Sequence, residues 1–176
     1  MAREITEPMS PALPVPSQSR IYVLALLTLV YTFNHIDRQI LVILLEPIKA
    51  DLHLDDSQLG LLSGLAFAAF YATLGIPIAM WADRGDRRKI IALALMVWSG
   101  MTALSGFAQN YWQLLLARMG VGVGEAGGTP PATSIIADLY GPKERAMALG
   151  IYTTGIGLGI LAGFIIGGLV YETLGW

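Results

Sequence analysis

The chain has 176 residues, of which 55% are hydrophobic and only 14% are charged, and its mean hydropathy is +0.60. Soluble domains carry about 25% charged residues, so this composition is typical of a protein with several membrane spans. The net charge of −2 argues against a nucleic-acid partner, and the lack of cysteine excludes disulfides and thiolate metal sites. His35 and His53 have no metal-ligand spacing, so we expect no metal and no other cofactor.

The N-terminal segment, residues 1–19, contains four prolines and no long apolar run. It lacks the basic start and apolar core of a signal peptide. We therefore predict a disordered cytoplasmic tail, followed by a first span that is not cleaved.

Five apolar segments follow, and each is long enough for a helix that crosses a bilayer. They do not alternate as the strands of a membrane barrel would, so we predict an all-α membrane bundle. The predicted spans, numbered 1 to 5 in chain order, cover residues 21–45, 58–82, 89–108, 111–138 and 145–170.

Basic residues fall mainly on one side of this predicted bundle. Of the eleven, eight lie in the tail, between spans 2 and 3, or between spans 4 and 5, whereas only Lys49 lies on the other side. The positive-inside rule then places the N-terminus and those two loops in the cytoplasm. We expect a multi-pass protein of a bacterial inner membrane.

Polar and charged side chains interrupt spans 1 and 4 at bilayer depth. Such groups cost several kcal/mol each unless they face a protein interior or a water-filled cavity, so we predict that they line a cavity used for proton coupling. The candidate residues are Asn34, His35, Asp37, Arg38, Arg118 and Glu125.

The depths of these residues indicate which of them meet. At 1.5 Å per residue, Asp37 and Arg118 lie at similar depth in the outer half of the bilayer, and Glu125 lies about two turns deeper. We hypothesise that Asp37 pairs with Arg118 and that Arg38 pairs with Glu125 in at least one conformation. The proton affinity of a buried carboxylate depends on burial and on nearby cations, so opening and closing the cavity would move a proton. The alternative is a static ion-pair network that holds the bundle together.

The loop between spans 2 and 3 carries a family signature. Its residues Ala82, Asp83, Arg84, Arg87 and Arg88 resemble the corresponding signature of the major facilitator superfamily. The sequence departs from that signature where Ala79 and Asp86 replace glycines. The resemblance implies a cytoplasmic gate that is formed by Asp83, Arg84, Arg87 and Arg88 together with Asp138 near the end of span 4.

Span 5 contains glycines at intervals of four residues, at Gly159, Gly163 and Gly167. They resemble the antiporter motif of drug exporters, except that Phe164 stands in place of its proline. Small residues at this spacing are common at tight contacts between membrane helices. We predict that these glycines, and Gly122 in span 4, serve helix packing.

Three stretches together resemble the Spinster-like branch of the superfamily. They are NHIDR in span 1, GVGEAGGTPPATSIIADLY in span 4, and the glycine-rich span 5. The resemblance implies a proton-coupled secondary transporter that moves an amphipathic or anionic organic solute, such as a lysophospholipid. An organic-anion or sugar-acid symporter and a multidrug antiporter of the same superfamily are the alternatives.

The superfamily fold consists of two six-helix halves, so the resemblance implies that residues 20–176 form a partial N-terminal domain. Its partners would be the bilayer, a small organic substrate, a proton and the missing C-terminal half. A truncated membrane fragment without transport activity is the alternative of another class. An enzyme is not expected, because the sequence contains no nucleophile–base pair, metal cluster or nucleotide-binding loop.

Overall fold

The computed structural model describes residues 17–175, without the side chains of residues 66, 67, 79, 82, 83 and 174. Within that range it is a helical bundle with no strand. One π-helical turn at Leu61–Leu65 separates α2 from α3. The α-helices are α1 (Ser17–Asp51), α2 (Asp56–Gly60), α3 (Ala66–Arg84), α4 (Arg87–Ser105), α5 (Tyr111–Ala126), α6 (Thr129–Leu139) and α7 (Pro142–Leu174).

The five predicted spans correspond to these helices. Span 1 is α1, span 2 is α2 with the π turn and α3, span 3 is α4, span 4 is α5 with α6, and span 5 is α7. The first helix already begins at Ser17, so the last residues of the predicted tail are helical. Most of that tail lies outside the described residues.

Three stretches of the described chain are long and apolar enough to cross a membrane by themselves: Asp56–Ile78, Arg87–Ser105 and Pro142–Thr173. The first span is less apolar because the polar cluster from Asn34 to Arg38 lies in its middle. The fourth is divided, and α5 has only 16 residues. Span 1 is therefore interrupted by polar groups, and span 4 is interrupted by a break between two helices.

The break in span 4 lies at Gly127 and Gly128, between α5 and α6. The sequence predicts a kink at Pro130 and Pro131, and both prolines fall in the first turn of α6. Proline is tolerated there because the first N–H groups of a helix have no partner within the helix. The prolines thus begin a new helix instead of bending a continuous one.

Two buried apolar clusters stabilise opposite ends of the bundle. The first contains Leu24 and Leu27 of α1, Ile136 of α6 and Tyr152 of α7. The second cluster joins the far end of α1 to the start of spans 2 and 4, through Leu41, Ile48, Leu54, Leu62, Leu114 and Leu115. The charged residues of α1 and α5 lie between these clusters along both helices.

Glycines allow two of the helix pairs to approach closely. A Cβ atom at Gly159 of α7 would lie 2.5 Å from His35 Cβ and 2.6 Å from Thr32 O, both in α1. A Cβ atom at Gly124 of α5 would lie 2.6 Å from the backbone N of Trp98 in α4. Close contacts with α1 also exist at Gly163 and Gly167, while Gly122 is buried within α5.

Large apolar side chains cover much of the outer surface. On α7, Leu161, Phe164 and Leu169 are more than half exposed. Apolar surface of this extent marks contact with a membrane or with other protein. These residues lie on a helix that is long and apolar enough to span a bilayer.

Candidate functional site

A buried ion pair joins span 1 to span 4. Arg38 Nε donates to Glu125 Oε2 at 2.7 Å, and the Arg38 Nη2 atom lies 2.5 Å from the same oxygen. The Glu125 side chain has no exposed surface, whereas the Arg38 side chain is 34% exposed. The structure therefore contains the second of the two ion pairs that the sequence suggests.

Span 2 contributes an aromatic ring to this pair. The Arg38 guanidinium lies 5.5 Å from the centre of the Tyr71 ring in α3, which is within the range of a cation–π contact. Arg38 therefore connects three spans. Nothing in the sequence singled out Tyr71, because a single tyrosine in an apolar helix is common in membrane bundles.

Asp37 lies on a different face of α1 from Arg38, as the 100° turn between adjacent helical residues requires. Its Oδ2 accepts a hydrogen bond from Thr102 Oγ1 of α4 at 2.6 Å. None of the ion pairs among the described residues joins Asp37 to Arg118, so the first predicted pair is absent in this conformation. Thr102 of α4 takes the place of the arginine as the partner of Asp37.

Arg118 nevertheless shares a cavity with Asp37. Arg118 is only 4% exposed. Its Nε atom is buried without a hydrogen-bond acceptor in the part of the chain that the structure describes. The cavity measures about 190 Å³ and lies between α1, α4 and α5, with Leu41 and Leu114 among its apolar walls. Asp37 and Arg118 thus line the same cavity without forming an ion pair.

The remaining two candidates of span 1 point elsewhere. Asn34 is buried, with 6% exposure, and lines a small cavity beside Glu125. His35 lies against α7 near Gly159, and its Nδ1–H donates to Tyr31 O at 3.0 Å. The structure therefore separates His35 from the ion pair, although the two are close in sequence.

The predicted gate residues lie at one end of the bundle. Arg87 forms an ion pair with Asp138, which joins the start of α4 to the end of α6. The departure from the family signature at Asp86 has a local reason, because its Oδ1 caps α4 by accepting the N–H of Arg88 at 3.1 Å. Arg84 ends α3. The Asp83 side chain lies outside the described residues.

Two further arginines bind the same end of α6. Arg145 Nη2 donates to Ala137 O at 2.8 Å, and Arg20 Nη1 reaches Leu139 O at 3.5 Å and Glu144 at 3.2 Å. Cations near the C-terminus of a helix satisfy its free carbonyls and its dipole. The sequence analysis used both arginines only for orientation, although their position beside a helix end was the available signal.

The arrangement can support charge movement but shows no place for a metal. Two acids and two bases lie at mid-depth between two apolar clusters, where the dielectric is low and interactions between charges are strong. No group of three or more His, Asp or Glu residues that could hold a metal ion is found among the described residues. The contacts that the structure shows at this site are an ion pair and hydrogen bonds.

Apolar helices that enclose a buried ion pair between two apolar clusters define a multi-pass membrane protein of the helical-bundle class. The chain belongs to the Major Facilitator Superfamily, whose family model matches residues 27–176. The predicted family and its fold are thereby confirmed.

Individual relatives support the same placement. The chain is 42% identical over 150 residues to an MFS-type efflux pump of Mycolicibacterium smegmatis, covering 85% of this chain and 35% of the relative. It is 31% identical over 144 residues to a sphingosine-1-phosphate transporter of Danio rerio, covering 81% of this chain and 28% of the relative.

A solved structure extends the similarity to the fold. A bacterial homolog of the human lysosomal transporter Spinster, in an inward-facing and unoccupied conformation, matches with a TM-score of 0.85 and 51% identity. The match covers 89% of this chain and 33% of that one, so the chain spans about a third of the length of the proteins it resembles. The predicted Spinster-like resemblance is confirmed, and the matched part is the N-terminal half.

Proposed function

We propose that this chain forms the N-terminal part of a proton-coupled secondary transporter that moves an amphipathic organic anion, such as a lysophospholipid. The observation that carries the proposal is the Arg38–Glu125 pair, which is buried at mid-depth between apolar clusters. Charged residues at such a depth are costly, and those that occur commonly mark a substrate or ion pathway.

The pair is built from elements that the proposed transport cycle would move. Arg38 contacts α3 through Tyr71 and α5 through Glu125, and about a third of its side-chain surface is exposed. In this superfamily the two halves rock around a central site. A movement that exposes or covers Arg38 would change the stability of the Glu125 carboxylate, and such a change favours proton uptake on one side and release on the other.

Asp37 supplies a second acid on the other side of α1. It is held by Thr102 and shares its cavity with Arg118, which is a base without a direct acidic partner in the described residues. Protonation of Asp37 would remove one of the two negative charges that act on Arg118 and leave only that of Glu125. This coupling between neighbouring titrating groups makes Asp37 the better candidate for the acid that senses the pH gradient.

The substrate class is proposed from chemistry and similarity together. One relative is named an efflux pump and another a sphingosine-1-phosphate transporter. A cavity arginine such as Arg118 suits a phosphate because its planar guanidinium forms paired hydrogen bonds with phosphate oxygens. An apolar wall beside that arginine, as at Leu41 and Leu114, suits an acyl chain.

Replacing Asp37 with Asn tests the coupling. The full-length protein that the gene encodes is expressed and reconstituted in liposomes. Transport of a radiolabelled lysophospholipid is then measured with and without a pH gradient. We expect the D37N protein to lose the acceleration by the gradient, because the amide cannot exchange the proton, while reconstitution stays normal. D86N is the matched control, because it makes the same substitution at the N-cap of α4 in the loop. Asparagine also caps helices, so we expect this variant to fold normally.

Undiminished acceleration in D37N would exclude Asp37 as the coupling acid. Equal transport by wild-type protein with and without the gradient would exclude proton coupling altogether. Failure of the wild type to move the lysophospholipid, with normal movement of a smaller organic anion, would move the substrate assignment to the organic-anion class.

A further inference from the structure

A small cavity lies beside the buried ion pair, and its lining includes Glu125 but not Arg38. It is enclosed by α1, α4, α5, α6 and α7, with Trp98, Gly128 and Ala132 among its walls. Side chains with polar groups also line it: Tyr31, Asn34, Glu125, Thr129 and Tyr152. The space therefore offers several polar groups, although most of its surface is apolar.

One carboxylate oxygen of Glu125 has no partner. Arg38 binds only Oε2, and Oε1 is buried without a hydrogen-bond donor among the described residues. An ionised oxygen left unsatisfied in a protein interior keeps the full penalty of its desolvation. Buried polar atoms of this kind usually bond to protein or to an ordered water.

The size of the space indicates which molecule could bind Glu125 Oε1. Its volume for a water-sized sphere is about 10 Å³. One water needs about 10–15 Å³ measured in that way, together with two to four polar partners. We propose that this space is a binding site for a single internal water, which donates to Glu125 Oε1 and bonds to Asn34, Thr129 or Tyr152.

Electrostatics favour a neutral ligand over a cation at this place. The Arg38 guanidinium already compensates Glu125, and Asp37 and Arg118 add one charge of each sign that interacts with the same carboxylate. The four charges sum to zero, so a sodium ion would gain no net attraction and would leave one positive charge uncompensated. Water satisfies Oε1 without adding charge, so the acid keeps one oxygen for the arginine and one for the water.

The site deepens the proposed function but does not depend on it. The water would give Glu125 a hydrogen-bonded connection toward Tyr152 and Thr129 that does not pass through Arg38. The carboxylate would then stay hydrogen-bonded when Arg38 moves away. A protein that does not couple protons at all would still hold this water, so failure of the transport test leaves this inference open to its own test.

The first measurement is the structure of the purified protein at a resolution that shows ordered water. We expect one density feature at hydrogen-bond distance from Glu125 Oε1 and from at least one of Asn34, Thr129 and Tyr152. The same feature should persist when sodium is replaced by choline. A direct bond from a protein donor to Oε1 in a closed space would overturn the proposal, as would a feature that disappears without sodium.

A displacement variant provides an independent measurement. A Cβ atom at Gly128 would lie 3.4 Å from Glu125 O and from Trp98 Cζ3, so G128A places a methyl group at the wall of the space with little strain. We expect loss of one water O–H band that shifts in H₂¹⁸O infrared difference spectra. G157A is the control, because a Cβ atom there has no neighbour within 4 Å. Persistence of the band in G128A would count against a water in this space.

Removing hydroxyl partners gives a third measurement that does not fill the space. T129V with Y152F should shift or abolish the same band, because of the three candidate partners besides Glu125 only Asn34 would remain. T133V is the matched control, since the Thr133 hydroxyl bonds to carbonyls of its own helix, at Thr129 and Pro130. An unchanged band in the double variant, together with unchanged density, would contradict the proposed set of partners.

Discussion

At the scale of single residues, the two members of the buried ion pair are not equivalent. Glu125 is fully buried and receives Arg38 on one oxygen only, while Arg38 is partly exposed and also lies over Tyr71. Loss of the arginine therefore leaves a buried carboxylate with little compensation. Loss of the acid leaves an arginine that still has a ring and partial access to water.

This asymmetry predicts unequal effects on stability. Breaking a buried pair by removing one partner costs about 3–5 kcal/mol when the remaining charge is uncompensated. We expect a loss in this range for R38M and a smaller loss, about 1–3 kcal/mol, for E125Q, where a hydrogen bond is weakened but no charge is stranded. Denaturant unfolding of the purified protein in micelles gives both values.

The double variant R38M/E125Q provides the control for this prediction. If the damage in R38M comes from the stranded carboxylate, the double variant should be more stable than R38M alone. Additive losses would show that Arg38 acts through packing against its neighbours, and the argument from the buried charge would then be wrong.

The sequence determined some of these contacts and not others. The pairing of Arg38 with Glu125 could be suggested beforehand because both are costly at bilayer depth, although the rise per residue placed Glu125 about two turns deeper. Asp37 could not be assigned to Thr102, since a threonine in an apolar span has no distinguishing signal. His35 was grouped with its neighbours by sequence, but the helical rotation places it against α7.

At the scale of the helices, the glycines of α7 determine how closely it approaches α1. The predicted packing role of the spacing by four agrees with the contacts at Gly159, Gly163 and Gly167. The glycine contacts between α5 and α4, at Gly120 and Gly124, were not predicted. Span 4 contains so many glycines that the sequence alone could not show which of them face a neighbour.

Replacing Gly159 with alanine should separate α7 from α1. The added Cβ would lie 2.6 Å from a backbone oxygen of α1, which cannot rotate away as a side chain can. Overpacking of this kind costs about 1–3 kcal/mol, and we expect G159A to lose that amount of unfolding free energy. G157A, two residues earlier, should lie within about 0.5 kcal/mol of the wild type, as is usual for surface substitutions. Equal stability of the two variants would show that the helices are not in tight contact here.

The ends of the helices were the least predictable feature at this scale. The predicted span at 111–138 is two helices, because two adjacent glycines interrupt the backbone hydrogen bonds before the prolines begin α6. The predicted start of span 1 lies inside α1, which already begins at Ser17. Apolarity marks the part of a helix within the bilayer, whereas the helix itself continues into polar flanking residues.

At the scale of the whole molecule, one end of the bundle is held together by arginines. Three of them, from α1, α4 and α7, converge on residues 137–139 at the end of α6. Exposed ion pairs contribute little each, about 0–1 kcal/mol, so their effect lies in connecting four helices at one level. The same residues carry the positive charge from which the sequence predicts the cytoplasmic side.

The whole-molecule prediction concerns orientation in the membrane, which the fold alone does not determine. The chain contains no cysteine, so a single introduced thiol reports its side without interference. Ser17 and Ser57 are exposed, and they lie at the start of α1 and in α2, respectively, so they form a matched pair for the nearly isosteric change to cysteine. The excess of basic residues on the side of Ser17 predicts that this side is cytoplasmic.

In intact cells, a membrane-impermeant maleimide should label S57C and leave S17C unlabelled until the membrane is opened. Detergent-solubilised protein serves as the control, since both variants should react there to the same extent. The reverse pattern would place Asp138 and the three arginines at the end of α6 on the outer side, where they could not form a cytoplasmic gate. Labelling of both thiols in intact cells would mean that the chain adopts both orientations, and the charge difference between the two sides would then be too small to orient it.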